Sequence, residues 1–295
     1  MTDGWRELST PFDIVEPTRW RAPIIFNSPH SGTVYPHEFL ITTRIDMATL
    51  RRSEDSFMDE LIAGLTDRGF AIMRVNFPRS YIDVNREPYE LDPRMFHGRL
   101  PSFANTRSMR VAGGLGTIPR VVGDGQDIYS DRLSVEDALR RIEGLYKPYH
   151  RALRRLIGKV HETFGAVILI DCHSMPSSGI SRDEPRRPDL VIGDRYGTSC
   201  SPRLTDAVEQ TMTRLGYSVG HNKPYAGGFI TEHYGSPGSG LHAIQIELNR
   251  AIYMDERTRE RKDRFAQIAR DLETLAEACA DIPLGDLGPF QAAAE

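Results

Sequence analysis

Five ionisable residues, three of them where apolar segments end or run and two as an adjacent acidic pair, have the types that suit metal-assisted hydrolysis. His30 follows the apolar stretch Pro23-Ile24-Ile25-Phe26-Asn27. His173 follows Ala166 to Asp171, an apolar run too short for a helix and rich in β-branched residues. Glu54 and Asp55 are adjacent, and Glu247 stands inside the apolar run His242 to Leu248. Two imidazoles and one carboxylate with an open fourth position make a catalytic zinc arrangement. Glu247 would be expensive to bury without a partner or a role. Spacing alone leaves two readings level, a metal site or structural histidines with a surface acid pair. His37, His97, His150, His221 and His242 show no such convergence and read as structural.

Other chemistries lack their signatures. There is no GxSxG, no Walker-type phosphate loop and no GxGxxG. His161-Glu162 opens like a zincin HExxH, but Gly165 stands where the second histidine belongs. Cys172 and His173 are neighbours on an expected strand, so their side chains point to opposite faces and form no dyad. Cys172 reads instead as a small buried hydrophobe. Over 295 residues the net charge is −4, which gives no electrostatic reason to expect nucleic acid or an anionic membrane as partner. No apolar stretch reaches membrane-spanning length, and MTDGWREL lacks the pattern of a signal peptide. The three cysteines are far apart, with no CxxC, and suit a reducing compartment. The expected setting is the cytoplasm.

The elements that must position these residues alternate along the chain. Strands are expected at 23–27, 70–77, 166–171, 190–193, 217–221 and 242–248, and helices at 46–68, 202–215 and 255–280. A further helical region begins at Ser134, where Asp137 completes a capping-box pattern, with a break expected at Pro148. Strands alternating with helices imply an α/β fold with a largely parallel sheet covered by helices. The whole of 1–295 reads as one domain. Residues 87–133 form an irregular excursion near the site, and 282–295 a loose tail.

Several motifs together resemble the N-formylglutamate amidohydrolase family. They are SPHSG (28–32), RSYIDVNREP (79–88), YKPYH (146–150), DCHS (171–174), GGFITEHYG (227–235) and HAIQIELNRAIYM (242–254). The family is related to the zinc carboxypeptidase and aspartoacylase hydrolases. The resemblance therefore implies a three-layer α/β fold, with a mixed, mainly parallel sheet between helices. It implies metal ligation by His30, Asp55 and His173, with Glu54 as the alternative acid. The HxxE of carboxypeptidase-like enzymes is absent here, because Gly32 and Thr33 follow His30 and Ser31.

The donor set favours Zn²⁺, which lowers the pKa of its water to about 7. In this reading Glu247 moves the proton from water to the leaving amine, and Arg79 holds the developing oxyanion. Asn85 and Arg86 grip the α-carboxylate of the substrate, a task suited to a guanidinium fork. Without the motif, both arginines would read as surface salt-bridge residues. The implied reaction is hydrolysis of an N-formyl or N-acyl amino acid, first N-formyl-L-glutamate to formate and L-glutamate, in histidine catabolism. The alternatives are a paralogous deacylase, a carboxypeptidase-like hydrolase, or a non-catalytic metal- or ligand-binding protein of the same fold.

Overall fold

The β-branched runs assemble into a seven-stranded sheet, and the amphipathic stretches become helices. The computed structural model describes residues 6–123, 125–178 and 187–288. The strands are β1 (Phe12–Val15), β2 (Ile24–Ser28), β3 (Ala71–Val75), β4 (Val167–Met175), β5 (Leu190–Gly193), β6 (Val219–His221) and β7 (Leu241–Asn249). Their spatial order is β1-β3-β2-β4-β7-β5-β6. β4 runs parallel to both β2 and β7, while β5 is antiparallel to β7. The sheet is mixed and mainly parallel, as an α/β fold requires. The main helices are α1 (Val135–Arg141), α2 (Lys147–Phe164), α3 (Pro202–Arg214), α4 (Phe229–Tyr234) and α5 (Phe265–Ala280). No helix among the described residues is long and apolar enough to cross a membrane.

Three expectations are corrected. β4 does not stop at Asp171 but continues through Met175. Its backbone pairs with β7 over nine registered positions, and ladder bonds do not depend on the polarity of side chains such as Asp171 and His173. The segment 46–68 is not one helix. It forms short turns at Met47–Leu50, Arg51–Ser53, Met58–Leu61 and Ala63–Thr66, interrupted where Glu54 is extended and Phe57 is left-handed at φ 65°. Of its helically spaced apolar positions, Leu50, Leu61 and Leu65 are buried, whereas Phe57 is half-buried and Met47 exposed. The last helix begins at Phe265 and not near Asp255. Asp255 instead accepts hydrogen bonds from the backbone N–H of Arg257 and Thr258, a local turn that competes with helix.

The helical region after Ser134 keeps its expected cap, with Ser134 Oγ accepting from Asp137 N at 3.0 Å. The break ahead of Pro148 takes the form of a π-helical turn at Ile142–Tyr146. Proline has no N–H to continue the regular ladder, and a widened turn accommodates the loss.

Packing divides the chain into two compact units. One comprises Met1–Asp13, Pro29–Glu54 and Arg74–Arg154, and the other Ile14–Ser28, Asp55–Met73 and Arg155–Glu295. The core of the second is built by Ile24 and Phe26 of β2, Ile168 and Ile170 of β4, and Ile244 and Ile246 of β7, with Leu204 and Val208 of α3 and Leu272 and Leu275 of α5. In the first, the buried guanidinium of Arg141 lies 4.0 Å from the centroid of Tyr81 and donates to Tyr81 O at 3.1 Å. Among the described residues, 87–133 hold brief regular pieces at Pro93–Met95, Phe96–His97 and Met109–Ala112, and the strand Leu133–Ser134 begins at their end. They nevertheless pack on the 83–86 segment: Thr117 O accepts from Asp83 N, and Leu115 O from Arg86 Nε, each at 2.8 Å. In the described part of the tail, a turn at Leu284–Asp286 leads to the buried Leu287. The rest of the tail, 289–295, lies outside the described residues.

Candidate active site and metal centre

Because β4 continues past Asp171, side chains two apart share one face, and Asp171 and His173 meet. His173 Nε2 lies 2.8 Å from Asp171 Oδ2, and Asp171 Oδ1 accepts from Asn27 Nδ2 at 2.7 Å. Asn27 is the register partner of Asp171 on β2. The other imidazole nitrogen, His173 Nδ1, lies 3.0 Å from Asp55 Oδ2. Asp55 Oδ1 in turn accepts from Arg250 Nη2 at 3.1 Å, and Arg250 Nε donates to Ser174 Oγ at 3.0 Å. Burial opposes the charged form of His173, but Asp171, Asp55 and Glu247 outweigh it and hold its pKa well above 6.5. Glu54 is turned away from this network, bonded by Tyr35 Oη at 2.7 Å and Arg51 Nε at 3.0 Å.

His30 follows β2 and has its own aspartate. Its Nε2 lies 2.7 Å from Asp83 Oδ1, while Asp83 Oδ2 meets Arg79 Nη2 at 2.8 Å and Arg86 Nη2 at 3.5 Å. Burial alone would raise the Asp83 pKa, but Arg86, His30 and Arg79 hold it well below the carboxylate range. Arg86 also donates from Nη1 to Asn85 O at 2.7 Å, so much of its fork is already engaged. Burial brings this guanidinium down to about 10, with Asp83 opposing the fall. The YKPYH motif braces the same segment: Tyr146 Oη donates to Arg86 O at 2.6 Å, and His150 Nε2 lies 2.9 Å from Val84 O. His150 is thus structural.

Among the described residues, His30, Asp55 and His173 form a buried group able to hold a metal ion. One ligand atom from each lies within 4.8 Å of the others. The donor set fits a divalent ion, and the surroundings strengthen the fit. Both imidazoles present Nε2 to an aspartate, Asp83 for one and Asp171 for the other. A carboxylate behind a histidine fixes the tautomer in which the other nitrogen can ligate.

Glu247 on β7 is the register partner of His173 on β4 and is only 7% exposed. Gln245 Nε2 donates to Glu247 Oε1 at 2.9 Å, and Gln245 Oε1 accepts from Gly228 N at 2.8 Å. The Gly-rich segment ahead of α4 therefore helps to orient this carboxylate. Cys172 is fully buried, and burial raises its thiol pKa well above the usual range, in keeping with an inert side chain.

The family model for N-formylglutamate amidohydrolase matches residues 22–254. The chain belongs to this family. It is accordingly an enzyme, a hydrolase of linear amide bonds. Two proteins named N-formylglutamate deformylase are similar to it. The one from Pseudomonas aeruginosa is 29% identical over 246 residues, covering 81% of this chain and 84% of that protein. The one from Pseudomonas putida is 28% identical over 239 residues, covering 80% and 83%. The crystal structure of N-formylglutamate amidohydrolase from Ralstonia eutropha matches with a TM-score of 0.86 at 36% identity, over 92% of this chain and 97% of that one.

Sequence reasoning missed Asp83, Asp171 and Arg250. Asp171 becomes visible once the strand is read through His173, because alternation then puts both on one face. Asp83 and Arg250 lie inside motifs quoted for the family, yet no local rule marks them, since their partners His30 and Asp55 are distant in sequence.

Proposed function

We propose that this chain hydrolyses N-formyl-L-glutamate to formate and L-glutamate, using a divalent metal held by His30, Asp55 and His173. The observation that carries the proposal is the buried group of two histidines and one aspartate, with a second aspartate behind each imidazole. Two nitrogens and one oxygen favour zinc. The substrate is taken from the similar proteins named for it. When bound, the ion polarises the formyl carbonyl and acidifies a water molecule.

The chain's own residues complete the reaction. Glu247 accepts a proton from the attacking water and delivers it to the amide nitrogen as the C–N bond breaks. Gln245 holds the Glu247 carboxylate in place through that exchange. Arg79 donates to the carbonyl oxygen as it gains charge. Asn85 and Arg86 bind the α-carboxylate, and Asp83 keeps both arginines and His30 in one arrangement.

The whole of 1–295 acts as one catalytic domain. The setting is the cytoplasm and the pathway histidine catabolism. Three buried, unpaired cysteines fit a reducing compartment. The test is formate release from N-formyl-L-glutamate by the protein as isolated, after chelation, and after zinc is restored. Activity that chelation abolishes and zinc restores is the expected result. Release unaffected by exhaustive chelation would remove the metal from the reading, and no release from any N-formyl amino acid would remove the reaction.

A further inference from the structure

Arg79 and Arg86 both pair with the carboxylate of Asp83, and Glu90 also acts on Arg86 as an opposite charge. A third cation, Arg110, stands on the short helical turn Met109–Ala112 of the 87–133 excursion. Leu115 connects it to Arg86: Leu115 N donates to Arg110 O, and Leu115 O accepts from Arg86 Nε, each at 2.8 Å. Among the described residues no hydrogen bond or ion pair engages the Arg110 guanidinium, which is half-buried.

Three acids of the excursion have other partners. Asp92 binds Arg94 and Arg120, Glu87 accepts from Asn105, and Glu90 Oε2 accepts from Glu87 N at 3.3 Å. Arg110 and Arg79 both act on the Arg86 guanidinium as like charges, with burial the larger effect on it. A like charge kept close to a mostly buried cation weakens the folded state, unless an anion arrives to use it. An arginine with no partner among the described residues, joined to Arg86 through Leu115, has the chemistry to receive a second carboxylate.

We propose that Arg110 is the specificity residue that binds the side-chain carboxylate of an acidic N-formyl amino acid. The proposal rests on the reading of Arg86 as the α-carboxylate ligand. Substrates with a neutral side chain would leave Arg110 unpaired and gain nothing from it. The excursion thereby supplies selection among amino acids, while the residues of the metal centre supply the reaction.

The test measures binding of L-glutamate and L-glutamine by calorimetry to the zinc-loaded protein, Arg110→Ala and Arg110→Lys. The native protein is expected to prefer glutamate by roughly tenfold or more, on the scale of one charge-assisted hydrogen bond. Arg110→Ala should abolish that preference by weakening glutamate alone, and Arg110→Lys should restore part of it, since a point charge replaces a fork. With N-formyl substrates, KM should rise in Arg110→Ala for the glutamate derivative and hold for the glutamine derivative. Arg110→Gln serves where Arg110→Ala fails to fold. Equal weakening of both ligands, an unchanged preference, or no preference in the native protein would overturn the assignment. The ligand comparison decides Arg110 even where no formate is released, and absence of release fails only the proposed function.

Discussion

Replacing Asp171 by asparagine tests whether the proposed metal centre depends on the carboxylate behind His173. The substitution keeps the shape of a fully buried side chain. In the protein, Asp171 Oδ2 faces His173 Nε2 at 2.8 Å and Oδ1 accepts from Asn27 Nδ2 at 2.7 Å. Asparagine offers one acceptor and one donor where both neighbours present donors. If its oxygen serves His173, its amide N–H₂ meets that of Asn27, and one of them must turn. If its oxygen serves Asn27, His173 must accept at Nε2 and carry its proton on Nδ1, the nitrogen that faces Asp55. Either arrangement weakens the imidazole as a ligand.

Loss of such a supporting carboxylate lowers metal affinity by about 10–100-fold, or roughly 1.4–2.7 kcal/mol. The assay is competition for zinc against a chelator of known affinity, with circular dichroism confirming the fold. Activity at saturating zinc should recover in large part, because the donors themselves remain. Zinc affinity within about threefold of the native protein, below ~1 kcal/mol, would refute the reasoning.

Other outcomes follow from the same geometry. Glu247→Gln should keep substrate binding and lower kcat by about 10²-fold or more, measured by steady-state formate release; near-native turnover would send the proton elsewhere. Arg79→Ala should lower kcat by roughly 10²-fold with little change in KM, and a pure KM effect would make Arg79 a binding residue. Gly32→Ala would place a Cβ 2.2 Å from Phe77 O and 2.5 Å from Asn76 C, both backbone atoms. It should cost on the order of 2–3 kcal/mol in denaturant unfolding, and an unchanged midpoint would contradict the close approach. In the metal-free protein the raised pKa of His173 means that its contribution to stability is complete below about pH 6.5. That contribution should shrink as pH climbs through the raised value, so the gap in thermal midpoint from His173→Gln should narrow between neutral and alkaline pH. A gap that widened with pH would reverse the assignment.

Much of the framework was legible because it is local. The runs at 23–27, 190–193 and 242–248 became strands within a residue or two at their ends, since β-branched side chains on a doubly covered sheet leave little choice. His30, His173 and Glu247 stood out for the same reason, as ionisable groups at the edge of apolar runs or inside one. The segment 46–68 was less legible. Its helical spacing of leucines is real and they are buried, but two breaks override it and turn Asp55 toward His173. Helix propensity is worth a few tenths of a kcal/mol per residue, too little to resist such tertiary contacts.

What the sequence by itself determined is the set of strands, the α/β class, and the residue types from which a metal site could be drawn. It left open which adjacent acid, Glu54 or Asp55, joins the two histidines, and what stands behind each imidazole. Those answers came from the tertiary structure, which gives Glu54 to Tyr35 and Arg51, Asp55 to His173 and Arg250, Asp171 to His173, and Asp83 to His30. The physical reason is range. Strand and helix patterns are set by neighbours a few residues apart, whereas a buried charge is stable only beside partners that the folded chain brings from distant positions.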